Sequence, residues 1–216
     1  MSWTETLFRL RAAAALHPVP QSQPRNLARN NTTIRSDFDL NPDLAFVKDI
    51  SRAPRHAAVL VPIVAHDILS VLLTERSAHL PSHAGQIAFP GGKVEAYDDG
   101  PEDTALRETE EEIGLAGKFI EPLGYLDGYL TGTGFHIVPV VALVKPGFTL
   151  QLDSSEVADA FEVPLDFLMN PENHQTHTRE WHGHHRSYYA MPYQDRFIWG
   201  ATAGMLHNLH ERLCTR

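Results

Sequence analysis

From Phe89 to Leu115 the chain reads FPGGKVEAYDDGPEDTALRETEEEIGL, a glycine turn followed at once by a short helix crowded with acids. The helix is delimited on both sides. Pro101 suits a first helical position, where its missing N–H would be unpaired anyway. Asp99 or Gly100 can cap the start, and Gly114 supplies the stop. The segment holds nine acids (Glu95, Asp98, Asp99, Glu102, Asp103, Glu108, Glu110, Glu111 and Glu112) against Lys93 and Arg107. Its local net charge is −7 in a chain whose formal net charge is −9. A solvated tail can be as acidic, but a tail does not interleave its acids with Ala105, Leu106, Ile113 and Leu115. Charge of this density, built into a folded element, calls for something positive beside it.

Glu108, Glu111 and Glu112 stand at offsets of 0, 3 and 4 and therefore project from one side of the helix. Leu106, Thr109 and Ile113 fall on the other side and are expected to pack inward. Neighbouring carboxylates repel, and a hard divalent cation removes the repulsion; an oxygen-only donor set favours Mg²⁺ or Mn²⁺ over Zn²⁺. The alternative is a solvated acidic face with no ligand. Two neighbours weigh toward a site. Arg107 can pair with Glu111 at i,i+4 and hold its carboxylate in place, and Gly91–Gly92 lets backbone approach a ligand closely.

Gly92, the acid at Asp98 or Asp99, and the run Arg107-Glu108-Thr109-Glu110-Glu111-Glu112-Ile113-Gly114-Leu115 resemble the Nudix box, the diphosphate-hydrolysing motif G-x5-E-x7-R-E-U-x-E-E-x-G-U with U aliphatic. The chain departs from it in three ways. Thr109 replaces an aliphatic residue, an aspartate replaces the early glutamate, and the interval from Gly92 to Arg107 is one residue longer. Upstream, LLTERSAHLPSHAGQIAFPGG (Leu72 to Gly92) resembles the signature of the coenzyme A pyrophosphatase subgroup: LLT-x-RS, a His-x-Gly pair at His83 and Gly85, then an apolar strand into FPGG. That subgroup carries an insertion in its Nudix box, which fits the extra residue. IWGATA (Ile198 to Ala203) is similar to the start of the subgroup's C-terminal helix, and EVADAFEVPL (Glu156 to Leu165) to its bridge into a late helix.

The resemblance spans residues from about 50 to 210 and implies an α/β fold, a Nudix-type α/β/α sandwich with a mixed sheet. It implies Glu108, Glu111 and Glu112 as ligands of Mg²⁺ or Mn²⁺, with Arg107 beside them. The reaction implied is coenzyme A plus water giving adenosine 3′,5′-bisphosphate and 4′-phosphopantetheine, without a covalent intermediate; no Ser or Cys nucleophile stands out. Two alternatives stay open: a broader hydrolase of ADP-ribose, NADH or dinucleotides, and a Nudix-fold nucleotide-binding module without turnover. Gly91, Gly92 and Lys93 are expected at the substrate. Arg76, His83 and His79 can contact substrate phosphates or serve local pairing. Glu156 is a candidate general base, or a helix-start acid with no chemistry.

Organisation follows from pattern. Residues 4–16 suit a helix and residues 18–45 read as an irregular arm rich in Pro, Asn and Arg, so residues 1–45 form an extension and residues 46–216 the Nudix hydrolase domain. Strands are expected at Ala57–Val64, Ser70–Thr74, Ile87–Phe89 and Ile137–Val144, and helices at 102–113, 164–170 and 201–213. No apolar run is long enough to span a membrane, and Arg9 and Arg11 interrupt the first apolar stretch, so no membrane association and no signal segment are expected. Cys214 is the single cysteine, which makes a reducing cytoplasm the default. The acidic balance disfavours nucleic acid as a partner and leaves a small-molecule substrate. A homodimer is compatible with the sequence. The histidines at 174, 177, 182, 184 and 185 invite a zinc or nickel reading. The better one is an exposed hairpin, with Gly183 at its tip between Thr178–His182 and His184–Pro192.

Overall fold

The continuous apolar run from Ala57 to Val64 is the kind that forms a strand buried on both faces, and the architecture is organised around it. The structure is a computed structural model that describes residues 2–20, 34–43, 53–181 and 183–215. The elements begin with α1 (Glu5–Ala15), β1 (Arg35–Ser36), β2 (Arg55–Val64), β3 (Ser70–Arg76), β4 (Ile87–Ala88), β5 (Gly91–Lys93) and α2 (Pro101–Ile113). They continue with β6 (Ile120–Tyr125), β7 (Tyr129–Leu130), β8 (Phe135–Val144), β9 (Val157–Pro164), α3 (Leu165–Leu168), β10 (Gln175–Trp181), β11 (His184–Tyr193), β12 (Arg196–Trp199) and α4 (Ala201–Cys214).

Among the described residues the strands form two sheets. In the main one β8 runs parallel to β2 over its whole length, from Arg55 opposite Phe135 to Val64 opposite Val144. β3 is antiparallel to β2 but pairs with it only at Ile63–Val71 and Val64–Ser70. The two strands then part. Into the fork come β5, paired to β2, and β4, paired to β3, while β9 follows β3 from Ser70 to Arg76. β6 and β7 pair with β8, and β1 lies parallel to β7. The second sheet is the antiparallel meander β10–β11–β12. The fork matters for function because it carries the Phe89–Gly92 segment into the middle of the main sheet.

Both faces of the main sheet are covered, as an α/β/α sandwich with a mixed sheet requires. β2 sends Val59, Val61 and Ile63 to a core shared with Phe8 and Ala12 of α1, Leu206 and Leu209 of α4, and Met191 and Ile198 of the second sheet. Its alternate residues Ala58 and Leu60 face Ala105 of α2, where the small side chains of Ala58, Ala105 and Ala142 let helix and sheet approach. Ile113 at the far end of α2 packs on Val64, Leu72, Leu115 and Val144. Ala105 and Ile113 are the apolar residues of α2 that are fully buried, a contribution of only about 2–4 kcal/mol. With partly buried Leu106 adding to this apolar contact, polar contacts also fix the helix.

α2 begins at Pro101 after Gly100 and ends where Gly114 turns left-handed (φ 69°), its N–H returning to the Glu110 carbonyl. The late helix expected over 164–170 is a single turn, α3. Glu156–Leu165, read from the resemblance as a bridge, contains a full strand, β9, because its backbone pairs with β3 along its length. β6 escapes the pattern because Pro122 and Gly124 interrupt it, and the pairing with β8 shifts register there. In the N-terminal extension, α1 packs in the main core and β1 joins the main sheet. Residues 21–33 of the arm, and the expected boundary at 45/46, lie outside the described residues.

Candidate active site

The Gly91–Gly92 turn and α2 are built against each other. Gly91 has φ 149°, and a Cβ there would meet the Ala58 carbonyl oxygen at 2.4 Å and Val59 Cα at 2.6 Å, so only glycine lets β5 lie this close to β2. A Cβ on Gly92 would meet the Glu108 carboxylate at 2.4–2.5 Å. The N–H of Gly91 donates to Glu112 Oε2 at 3.1 Å. The glycine turn thus touches two of the three acids that the helix spacing brings together.

The three acids differ in depth. Glu112 is 5% exposed, on the buried side with Thr109 and Ile113, whereas Glu108 is half-buried and Glu111 exposed. Burial, reinforced by the neighbouring carboxylates of Glu156 and Glu108, pushes the Glu112 pKa up to about 7, against the hydrogen bond from Gly91 and the charge of Arg76. Burial also raises the pKa of Glu108. Thr109, standing where the motif has an aliphatic residue, satisfies its hydroxyl by donating to the Ala105 carbonyl at 2.6 Å.

Arg107 ties the acids together. Its Nη1 donates to Glu108 Oε1 at 2.9 Å and to Glu111 Oε2 at 3.1 Å, the second being the expected i,i+4 pair. Its Nε and Nη2 grip Asp98 in bidentate fashion at 2.9 and 3.0 Å. Asp98 also accepts from the Glu95 N–H and the Thr104 hydroxyl, both at 2.8 Å. Of the two aspartates open to the early-acid role, Asp98 is the one that clamps the arginine. The hydrogen bonds from Arg107 hold the Asp98 carboxyl well below the usual carboxylate range. Asp98→Asn is accordingly expected to lower the melting temperature and slow turnover by loosening Arg107. A depressed carboxylate stabilises the fold above its unfolded pKa, so the melting deficit should persist from neutral pH down to about 4 and close only below it. Melting curves against pH check this; a deficit that grows on acidification would contradict the clamp.

The remaining candidates divide. Arg76 lines a cavity of about 440 Å³ together with Glu112, Gly91 and His83. Its Nε is buried without a hydrogen-bond partner among the described residues. His83 sits at φ 59° with Nδ1 2.8 Å from Gln86 Oε1, so it is locally paired as well as facing the cavity. Glu156 is exposed in the turn just before β9, close enough to act electrostatically on both Glu108 and Glu112. Lys93 is exposed; its carbonyl accepts from Arg107 at 3.3 Å and its side chain is not part of the cavity wall. His79 is exposed and likewise off the wall.

Gly183 is the tip of the β10–β11 hairpin, with His184 and His185 exposed beside it; His182 lies outside the described residues. His174 turns inward instead, its Nε2 2.7 Å from the Leu168 carbonyl and its Nδ1 3.0 Å from His207 Nδ1. The cavity has another wall, not foreseen from the sequence, where Tyr129, Arg179, Arg186, Tyr188 and Trp199 gather. The signal available was alternation on β11, which sends Arg186 and Tyr188 to one face of the hairpin.

For a metal, the donor chemistry fits: oxygen donors of one sign, one of them buried and destabilised as an anion, with a glycine leaving no Cβ under another. Among the described residues no three donors already converge on one point, since Glu108 and Glu111 lean on Arg107.

The NUDIX domain family matches residues 54–184. The uncharacterized Nudix hydrolase NudL of Photorhabdus laumondii is 39% identical over 166 residues, covering 77% of this chain and 89% of that one. Its namesake in Pectobacterium atrosepticum is 36% identical over 193 residues, covering 89% and 98%. Among solved structures, the NUDIX domain of Shewanella oneidensis NrtR complexed with ADP ribose aligns with a TM-score of 0.48 at 22% identity over 80% of this chain and 98% of that one. The chain belongs to the Nudix family. It is a Nudix hydrolase, of a family that works with divalent metal ions. Among the described residues no helix is long and apolar enough to cross a membrane.

Proposed function

We propose that this protein hydrolyses the diphosphate of coenzyme A to adenosine 3′,5′-bisphosphate and 4′-phosphopantetheine. The observation that carries the reading is Arg76. It belongs to the LLTERS run that resembles the coenzyme A pyrophosphatase signature, and it stands in the cavity beside Glu112 with a buried Nε that lacks a partner among the described residues. A buried guanidinium donor left unpaired is costly unless a substrate oxygen completes it.

In this reading Glu108, Glu111 and Glu112 hold Mg²⁺ or Mn²⁺. When bound, the metal supplies charge neutralisation for the diphosphate and acidifies water. The chain does the rest. Arg107, anchored by Asp98, holds Glu108 and Glu111 against their mutual repulsion. Gly91 fixes Glu112 through its N–H, and Gly92 leaves room for Glu108. Arg76 and His83 bind the phosphates that line up beside Glu112. Glu156, exposed and within electrostatic reach of Glu108 and Glu112, takes the proton of the attacking water.

The test is chromatographic product analysis after incubation with coenzyme A, 3′-dephospho-coenzyme A, ADP-ribose and NADH, with and without Mg²⁺ or Mn²⁺. The expected outcome is metal-dependent release of adenosine 3′,5′-bisphosphate, fastest from coenzyme A. Faster turnover of ADP-ribose or NADH would replace the substrate while keeping the chemistry. Stoichiometric nucleotide binding without product would point to a binding module.

A further inference from the structure

The cavity that reaches Glu112 and Gly91 has a second wall, contributed by the β10–β12 sheet. Two arginines stand there directly opposite one another, Arg179 on β10 and Arg186 on β11. Like charges at opposed positions of an antiparallel pair are unfavourable unless something negative lies beside them. For Arg186 that partner is Asp37, 2.8 Å from its Nη2; Asp37 in turn accepts from the Tyr129 hydroxyl at 2.9 Å and the Gly132 N–H at 2.7 Å. Among the described residues Arg179 has no such counterion. Among the described residues it forms no ion pair or hydrogen bond, and its guanidinium lies 4.8 Å from the centre of the Trp199 ring and 5.8 Å from that of Tyr188. Two rings fix the position of the cation without consuming its N–H donors.

We propose that Arg179 is a specificity-determining residue that binds a phosphate monoester on the nucleoside half of the substrate, away from the diphosphate that is cut. The assignment rests on the coenzyme A reading above, and chemistry selects the group. Outside its diphosphate, coenzyme A carries one anion, the ribose 3′-phosphate; the pantetheine arm is uncharged. Arg76, on the main sheet beside Glu112, serves the diphosphate. Arg179 stands on the other sheet and touches none of Glu108, Glu111, Glu112 or Arg107. Its planar fork can give two N–H donors to one phosphate, and the neighbouring rings offer a stacking face to the base.

Binding of adenosine 3′,5′-bisphosphate and of 5′-AMP, measured by calorimetry with Mg²⁺ present, tests this without requiring turnover. The unaltered protein should prefer the bisphosphate by about 10- to 100-fold, the range expected for a charge-assisted contact. Arg179→Gln should lose that preference by weakening the bisphosphate alone, and Arg179→Lys should recover part of it. No preference in the unaltered protein, or a preference that survives in Arg179→Gln, overturns the assignment. So does an equal loss for both ligands, which would make Arg179 a support for Trp199 and the hairpin. The kinetic counterpart is kcat/KM for coenzyme A against 3′-dephospho-coenzyme A in the same variants. If the binding preference depends on Arg179 but coenzyme A is not hydrolysed, the substrate reading fails and the phosphate site stands.

Discussion

Replacing Glu112 by glutamine is expected to abolish turnover and, in the metal-free protein, to raise the melting temperature at about pH 8. The two effects have one cause. Glu112 is 5% exposed, and its pKa is pushed up to about 7 by burial, with Glu156 and Glu108 adding to it. An acid whose folded pKa lies above its unfolded value keeps its proton longer when folded, so ionising it destabilises the fold as pH rises from about 4.5 to about 7. By linkage the penalty is roughly 3 kcal/mol once both states are ionised, an order-of-magnitude figure. Glutamine removes the charge, keeps an oxygen to accept from the Gly91 N–H at the same place, and avoids that penalty. The advantage of the variant should therefore shrink as pH falls and vanish near pH 4 to 5, where the native glutamate is protonated as well. Saturating Mg²⁺ or Mn²⁺ should stabilise the unaltered protein by mass action and leave the variant nearly unmoved. Turnover should fall by about 10³-fold or more if, as proposed, Glu112 helps hold the metal through the cleavage step. Melting curves at two pH values, with and without metal, together with a rate assay decide the matter. A variant that is less stable than the parent at high pH, or that turns over normally, would remove Glu112 from the site.

Much of this arrangement was legible in the sequence, and what escaped did so for identifiable reasons. Pro101 and Gly114 delimit α2 because one fixes φ and the other accepts the left-handed turn, effects local to a few residues. The offsets of Glu108, Glu111 and Glu112 put them on one stripe, which helical geometry alone ensures. Depth along that stripe is another matter. Glu112 is buried and Glu111 exposed because β5 lies against one edge of the helix, and β5 is a three-residue strand with no periodic signature. Asp98 reaches Arg107 across the turn that precedes the helix, a contact that spacing could suggest but not choose over Asp99. β9 hides because several of its residues, among them Asp159, Glu162 and Ala160, do not follow an alternating apolar pattern, and its pairing with β3 supplies the order. The hairpin was visible from Gly183, but that its inner face would complete the cavity depends on packing between the two sheets.

The two adjacent glycines at the fork should fail in different ways when each is given a methyl group. Gly91→Ala is expected to cost stability. Its φ of 149° is a conformation that L side chains rarely adopt, and the new Cβ would lie 2.4 Å from the Ala58 carbonyl oxygen and 2.6 Å from Val59 Cα. Those are backbone atoms of β2, the central strand, and they cannot yield without disturbing the pairing with β8. Strain and overpacking together amount to about 3 kcal/mol or more. Gly92→Ala presents its methyl to the Glu108 carboxylate at 2.4–2.5 Å, the far end of a flexible side chain. Here the neighbour swings away, so the melting temperature should change little, by the equivalent of less than about 1 kcal/mol. What is lost is the position of Glu108, and with it the 2.9 Å contact to Arg107. Turnover should fall by roughly 100-fold, the scale of displacing one pre-positioned charged group. A double-mutant cycle separates this from a general disturbance: in a Glu108→Gln background, adding Gly92→Ala should slow the enzyme little further, because both changes remove the same carboxylate from the same place. If Gly92→Ala is as active as the parent, or its effect multiplies with that of Glu108→Gln, then the closeness of glycine and carboxylate has no part in catalysis. If Gly91→Ala melts with the parent, the fork tolerates a side chain, and the reason for two consecutive glycines at the centre of the sheet must be sought in the ligand rather than in the fold.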